Sequence, residues 1–357
     1  MKLIFRGGAR AWVAGVLLSF TGQGGAATLH DVYVTAYSTA DGGRTSEIIR
    51  YSWDSSASSA IRQASDVIPT GYRLSNASNR SQTTLSGDGN SLSLVMFHTN
   101  TAVTTNYFTS FNLGTRSFDT TTAVTNSNYN QIWSPDGQRF YAVGTTGTNA
   151  SPGYAEYGAS SVTPLRTNQL TMNSVGFHNN RIYASRTAAT GILQFQNAGL
   201  STASGTWTTL SGNGWDTSTN YGQFAFLGEQ HLFVTDATNE MIRVFYNESA
   251  GTPTAGWNLL TMISTTSAGT SALSLIDQGD GGARLFFSGT DKFGTVTWNG
   301  TGFEGLAILG TAPDGYTFQG MVAVPEPGGL LLCGVGGALL VSLRRRKTVE
   351  LREGMVA

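Results

Sequence analysis

Of the chain's 357 residues only 12% are charged, against about 25% in ordinary soluble domains, while 45 are glycine, a palette that excludes a helical bundle and fits an all-β extracellular protein. The formal net charge of −1 hides an asymmetry: residues 28–327 carry 13 Lys and Arg against 20 Asp and Glu, a net of −7, which excludes nucleic acid and anionic lipid as partners of that part. The single cysteine, Cys333, lies in a C-terminal apolar run, so no disulfide can hold the rest; about 300 residues can instead bury roughly three quarters of their surface in a core.

At the N-terminus Lys2, Arg6 and Arg10 precede an apolar stretch from Ala11 to Phe20, and the small residues Gly24, Gly25, Ala26 and Ala27 follow. This is the three-part layout of a secretory signal peptide over residues 1–27. No adjacent arginine pair precedes the apolar stretch, so the chain is expected to cross the membrane unfolded and without a bound cofactor.

Residues 28–323 read as a repeat of short strands. A hairpin of apolar strand, Gly/Asn/Asp turn and alternating strand recurs at 84–97, 132–143, 175–184, 224–234 and 273–287. Turns of this kind need positive φ, which Gly, Asn and Asp tolerate. After each hairpin a further alternating strand ends in an aromatic, giving Trp53, Phe111, Tyr157, Phe195, Tyr246 and Trp298 at intervals of 58, 46, 38, 51 and 52 residues. A fourth strand is visible at 206–210, 256–260 and 303–308. Four short strands per unit of about fifty residues, with no helical period, predict a β-propeller. The first unit lacks an inner strand, and a spare one runs from Phe318 to Ala323. Pairing the two closes six blades and leaves no edge open to aggregation. The turn Trp133-Ser134-Pro135-Asp136-Gly137 resembles the TolB-type propeller repeat, which points to the same fold.

Candidate chemistry is sparse. His30, His98, His178 and His231 fall in different blades and are not expected to gather a metal, and neither a metalloprotease helix, a serine-hydrolase elbow nor a phosphate loop is present. Asp88, Asp277 and Asp280 are explained by turn formation, with calcium as the competing reading. At the channel mouth where inner strands begin, the chain offers amides: Asn130, Gln131, Asn173, Gln223 and Gln319. Amides do not titrate, so they can plug a channel or bind sugar hydroxyls but cannot act as acid or base. Asp216 beside Trp215, in the long 211–220 loop, is the one acid placed like a carbohydrate subsite, although a loop anchor explains the pair more simply.

The chain then changes character. Val324, Pro325, Glu326 and Pro327 form a stiff spacer expected to end the preceding strand. Residues 328–343 form an apolar run of about 24 Å as a helix, short for a ~30 Å hydrocarbon core. Arg344, Arg345, Arg346 and Lys347 follow, and by the positive-inside rule they stay in the cytoplasm with the bulk of the chain outside. These three parts in order, over residues 324–347, resemble the PEP-CTERM sorting signal of Gram-negative bacteria; residues 348–357, a cytoplasmic tail, are longer than that family usually carries. The resemblance implies a single transmembrane helix at 328–343 holding the precursor in the inner membrane. It further implies processing near Glu326 by an exosortase, and release to the cell surface or extracellular matrix. Within the span Gly329, Cys333 and Gly337 share one smooth face, expected to meet a membrane-embedded partner. The expected function is therefore non-enzymatic adhesion or matrix building, with extracellular polysaccharide as a further partner. The alternatives are a propeller hydrolase or lyase, which needs two carboxylates roughly 5 to 10 Å apart, and a glycan-binding module, which needs Trp207, Trp215 or Trp257 exposed on one face.

Overall fold

In the computed structural model, which describes residues 29–325 apart from 42–43, 75–82, 101–104, 120, 125–127, 145–151, 167–170, 187–190 and 250–253, every regular element is a β-strand. The expected hairpins form because their turns accept left-handed backbone: Asn179 and Asn180 sit at φ of 43° and 58° between the paired His178 and Arg181, the two-residue turn that matches strand twist. Six antiparallel sheets result. Their innermost strands are Thr83–Leu85 with Tyr72–Arg73 in the second blade, Tyr129–Trp133 in the third, Met172–His178 in the fourth, Tyr221–Leu227 in the fifth and Ala272–Gly279 in the sixth.

The first blade is made from both ends of the described chain. Leu29–Ser38, Ser46–Asp54 and Ile61–Val67 form its outer three strands, and Tyr316–Pro325 lies inside them, with Val34 opposite Met321 and Val32 opposite Ala323. Each inner strand packs against the next around the ring, so the six-bladed closure read from the sequence is the one observed. The strand runs past residue 323, however: Val324 pairs with Asp31 and Pro325 with His30. Proline at the last position of a strand loses only its own donor, so half of the expected spacer belongs to the sheet.

Six buried clusters sit one at each blade interface. Between the sixth and first blades, for example, Phe286 and Phe293 meet Trp53, Tyr51 and Phe318. Each such side chain contributes about 1.5–3 kcal/mol by leaving water, which is how the propeller holds together without a disulfide. One expected marker differs: Tyr157 lies just beyond its strand and is 39% exposed, and the packed aromatic of that strand is Tyr154. Among the described residues no helix is long and apolar enough to cross a membrane. The signal peptide at 1–27, the span at 328–343, the cluster Arg344 to Lys347, and Glu326 and Pro327 lie outside the described residues.

Candidate functional site: the two ends of the central channel

The inner strands run in one direction around the channel, so their beginnings and their ends form two different rims. Near the beginnings, four inner strands carry one residue more than the partner strand. The extra residue is Asn130 between Tyr129 and Gln131, Asn173 between Met172 and Ser174, Gln319 between Phe318 and Gly320, and one of Gly222 and Gln223 in the fifth blade. A bulge re-aims its side chain, and here it turns amides toward the neighbouring blade. Asn130 Nδ2 donates to Met172 O at 2.8 Å, Val175 N to Gln131 Oε1 at 2.9 Å, and Asn173 Nδ2 to Tyr221 O at 2.7 Å. Gln223 accepts from Leu273 N at 2.8 Å and donates across the channel to Thr83 O at 2.8 Å.

Hydroxyls complete the lacing at the other three boundaries. Thr35 and Thr83 share a 2.9 Å bond, Thr84 Oγ1 donates to Ile132 O at 2.7 Å, and Ala323 N donates to Ser274 Oγ at 3.2 Å. Of the two readings of the amides, plugging the channel or binding sugar hydroxyls, their burial favours the structural one. Asn130, Gln131, Asn173, Gln223 and Gln319 are all buried, and four of the five bridge blades. Backbone groups at blade boundaries lack a ladder partner on that side, and a side-chain amide is the simplest way to satisfy them.

The other rim is apolar. Leu85, Trp133, Phe177, Phe226, Leu275 and Val324 come one from each blade, and all six are half-buried. Five of them, with Val322 beside the sixth, line a cavity of roughly 330 Å³. Trp133 stacks on Phe177 at 5.6 Å between centroids, and His178 stacks on Phe226 at 4.4 Å with its ring nearly parallel. Burial pushes the His178 imidazole below its ordinary pKa, and the Gly228 backbone and Glu229 offset this in part. The cavity lining holds no carboxylate, lysine or arginine.

Asp216 does gain a carboxylate neighbour. Its Oδ2 lies 3.8 Å from Arg243, whose guanidinium also holds the fully buried Asp236 at 2.7 Å. Asp236 is further satisfied by the backbone N–H and side-chain amide of Asn239, as a structural ion pair should be. The hydroxyl and N–H of Ser218 hold the Asp216 carboxyl below the usual range, which is the wrong direction for a general acid. Trp215 lies flat on Phe245 at 3.7 Å and edge-on to Tyr221, so the pair anchors its loop.

The remaining candidates are accounted for by local structure. Asp88 accepts from Ser86 Oγ and Asn90 N, and Asp277 from Gly279 N, each inside its own turn. His30 stacks on Trp53 and meets Phe286 edge-on, His231 packs on Tyr246 and Trp298, and His98 Nδ1 accepts from the N–H of Asn100. Among the described residues no three His, Cys, Asp or Glu side chains come together as metal ligands. Trp207 and Trp257 are 7% and 3% exposed between blades.

No protein-family model matches the sequence, and no curated protein matches it either. Among solved structures the chain is similar to TolB from Acinetobacter baumannii, at 13% identity and a TM-score of 0.52, over 83% of this chain and 67% of that one. It is also similar to YCF48 from Cyanidioschyzon merolae, at 10% identity and a TM-score of 0.44, over 84% and 97% of the two chains. At 13% identity the likeness to TolB speaks to the fold alone, and it agrees with the resemblance carried by the Ser134-Pro135-Asp136-Gly137 turn. In that turn Ser134 Oγ accepts from Gly137 N, and Ser134 O accepts from Gly87 N of the neighbouring blade.

Sequence reasoning missed the apolar rim. Its signal was present: each hairpin has a large apolar residue just before the turn, where a solvated strand end would be polar.

Proposed function

We propose that this is an exported protein of the cell surface or extracellular matrix, non-enzymatic in action and delivered by its C-terminal sorting signal. The observation that carries the reading is the order of residues 324–347, with a leader at 1–27 to start export. Two structural facts support it. The domain is held by aromatic clusters and polar lacing, which suits a chain exported unfolded with no cofactor to guide it. Val324 and Pro325 belong to the closing strand, so the processing we propose near Glu326 falls directly after the ring-closing strand in the sequence.

In this reading residues 328–343 hold the precursor in the inner membrane, Arg344, Arg345, Arg346 and Lys347 stop translocation, and an exosortase removes the tail. Adhesion to extracellular polysaccharide is the role we assign to the released propeller. The hydrolase alternative is disfavoured by a carboxylate-free channel cavity and by the lowered Asp216, and the glycan-platform alternative by the burial of Trp207 and Trp257. Mass spectrometry of the protein taken from its native envelope tests the proposal. A mature chain beginning near Ala27 or Thr28 and ending near Glu326 is expected, whereas a chain retaining Arg344 to Lys347 would rule out tail removal.

A further inference from the structure

The apolar rim has an unusual neighbour: the chain's own exit. Val322 lines the cavity, Val324 packs beside it against the core between the first and second blades, and the closing strand is described as far as Pro325. The closing strand therefore passes a roughly 330 Å³ cavity lined by Trp133, Phe177, Phe226, Leu275 and its own Val322 three residues before the end of the described chain. The segment after Pro325 consists of Glu326, then Pro327-Gly328-Gly329, then Leu330, Leu331 and Leu332. Pro-Gly is a turn signal, with proline setting φ for the first central position and glycine free to take the second. From Val324 to Leu330 is six residues, at most about 20 Å of extended chain, enough to leave the rim, reverse and return to it.

We propose that the apolar rim is a cis docking site for this chain's own segment Leu330, Leu331 and Leu332. The chemistry matches on both sides. The cavity lining has no carboxylate, lysine or arginine, its large side chains Trp133, Phe177, Phe226 and Leu275 are apolar above a floor of Thr84, Ser174, Gln223 and Ser274, and the three leucines have no charge to bury. The tether decides between occupants. A short flexible linker sets an effective concentration in the millimolar range, so even a weak apolar contact is filled by the attached segment ahead of a dilute free ligand. Docking would cover the apolar start of the tail in water and release it to a better apolar phase. This inference concerns the full chain in water, before residues 328–343 enter the membrane as proposed above, and rim docking and membrane insertion of Leu330 to Leu332 exclude one another.

The sole cysteine supplies the test. Cys333 directly follows Leu332, so a second cysteine at the rim reports docking by disulfide formation. In the purified full chain, exchanged out of detergent and kept dilute, Leu275→Cys is oxidised and the linked peptides are measured by mass. Leu260→Cys, on an outer strand and 48% exposed, is the control. The expected result is an intramolecular 275–333 link forming at least tenfold faster than the 260–333 link. Equal rates overturn the proposal, and so does a link found only between chains, which would make the occupant a second copy. Should Leu275→Cys lose its thermal transition, Leu85→Cys on the second blade replaces it under the same criterion. Replacing Leu330, Leu331 and Leu332 by serine in the same protein should abolish the rate advantage, and an unchanged advantage would assign the link to tether length alone.

Discussion

The two rims of the channel are built from the same strands and do opposite things. Where the inner strands begin, polar side chains are buried and committed to the backbone of the next blade. Where they end, large apolar side chains are left half in water. Side-chain polarity is thus a poor guide to which end of a propeller channel is structural. An amide that satisfies a buried N–H is part of the scaffold, and an aromatic with one face uncovered is the free surface.

That contrast can be broken or sharpened by experiment. The largest effect belongs to the closing strand, which both rims share: a chain ending before Phe318 leaves the first blade without its inner strand. It should lose cooperative unfolding in calorimetry, and a sharp transition would refute ring closure as the source of stability. Next comes Gln223→Leu, which removes the acceptor of Leu273 N and the donor to Thr83 O. Losing both buried bonds costs about 3 kcal/mol, and the melting temperature should fall by about 6 °C. A neutral outcome would mean that the amide lacing is decoration.

Acidification should act at the apolar rim. Burial lowers the pKa of His178, and likewise of His30 and His231, so between the folded value and about 6.5 the unfolded chain binds protons that the folded one does not. Stability is therefore full above pH 6.5 and declines as pH falls below it. Denaturant midpoints measured from pH 7.5 to 5.0 should show this slope, and His178→Phe should flatten it; an unaltered slope would remove His178 as its source. The smallest effect is expected for Phe177→Ser, which gives up a half-exposed stack on Trp133 worth about 1 kcal/mol. A loss as large as that of Gln223→Leu would erase the distinction between the rims.

Much of the fold was legible because turns advertise themselves. Asn179-Asn180, Asp136-Gly137 and Asp88-Gly89 mark hairpins by the backbone angles they permit, and the orphan first blade pointed to the spare strand at Phe318. The bulges were not legible, since a bulge is a register event between two strands and a sequence shows only one of them at a time. Asn130 therefore read as a residue at the channel mouth, when the extra residue in its strand aims its amide at Met172 O of the next blade. Asp236 was invisible for a related reason. Its partners Arg243 and Asn239 are local, but only burial turns that trio from a solvated turn into a buried ion pair. Trp215 was weighed correctly as an anchor. Its stacking face, Phe245, comes thirty residues later, and Gly191, whose absent Cβ leaves room for the indole, lies in the neighbouring blade.

The pairing of His30 with Pro325 puts both ends of the described chain side by side at one pole of the wheel. A tether at either terminus therefore grips the protein by the same hub, and the outer-to-inner crossovers, such as the stretch carrying Asp216, point away from it. In a chain held at either terminus those crossovers would lie at the far pole from the point of attachment.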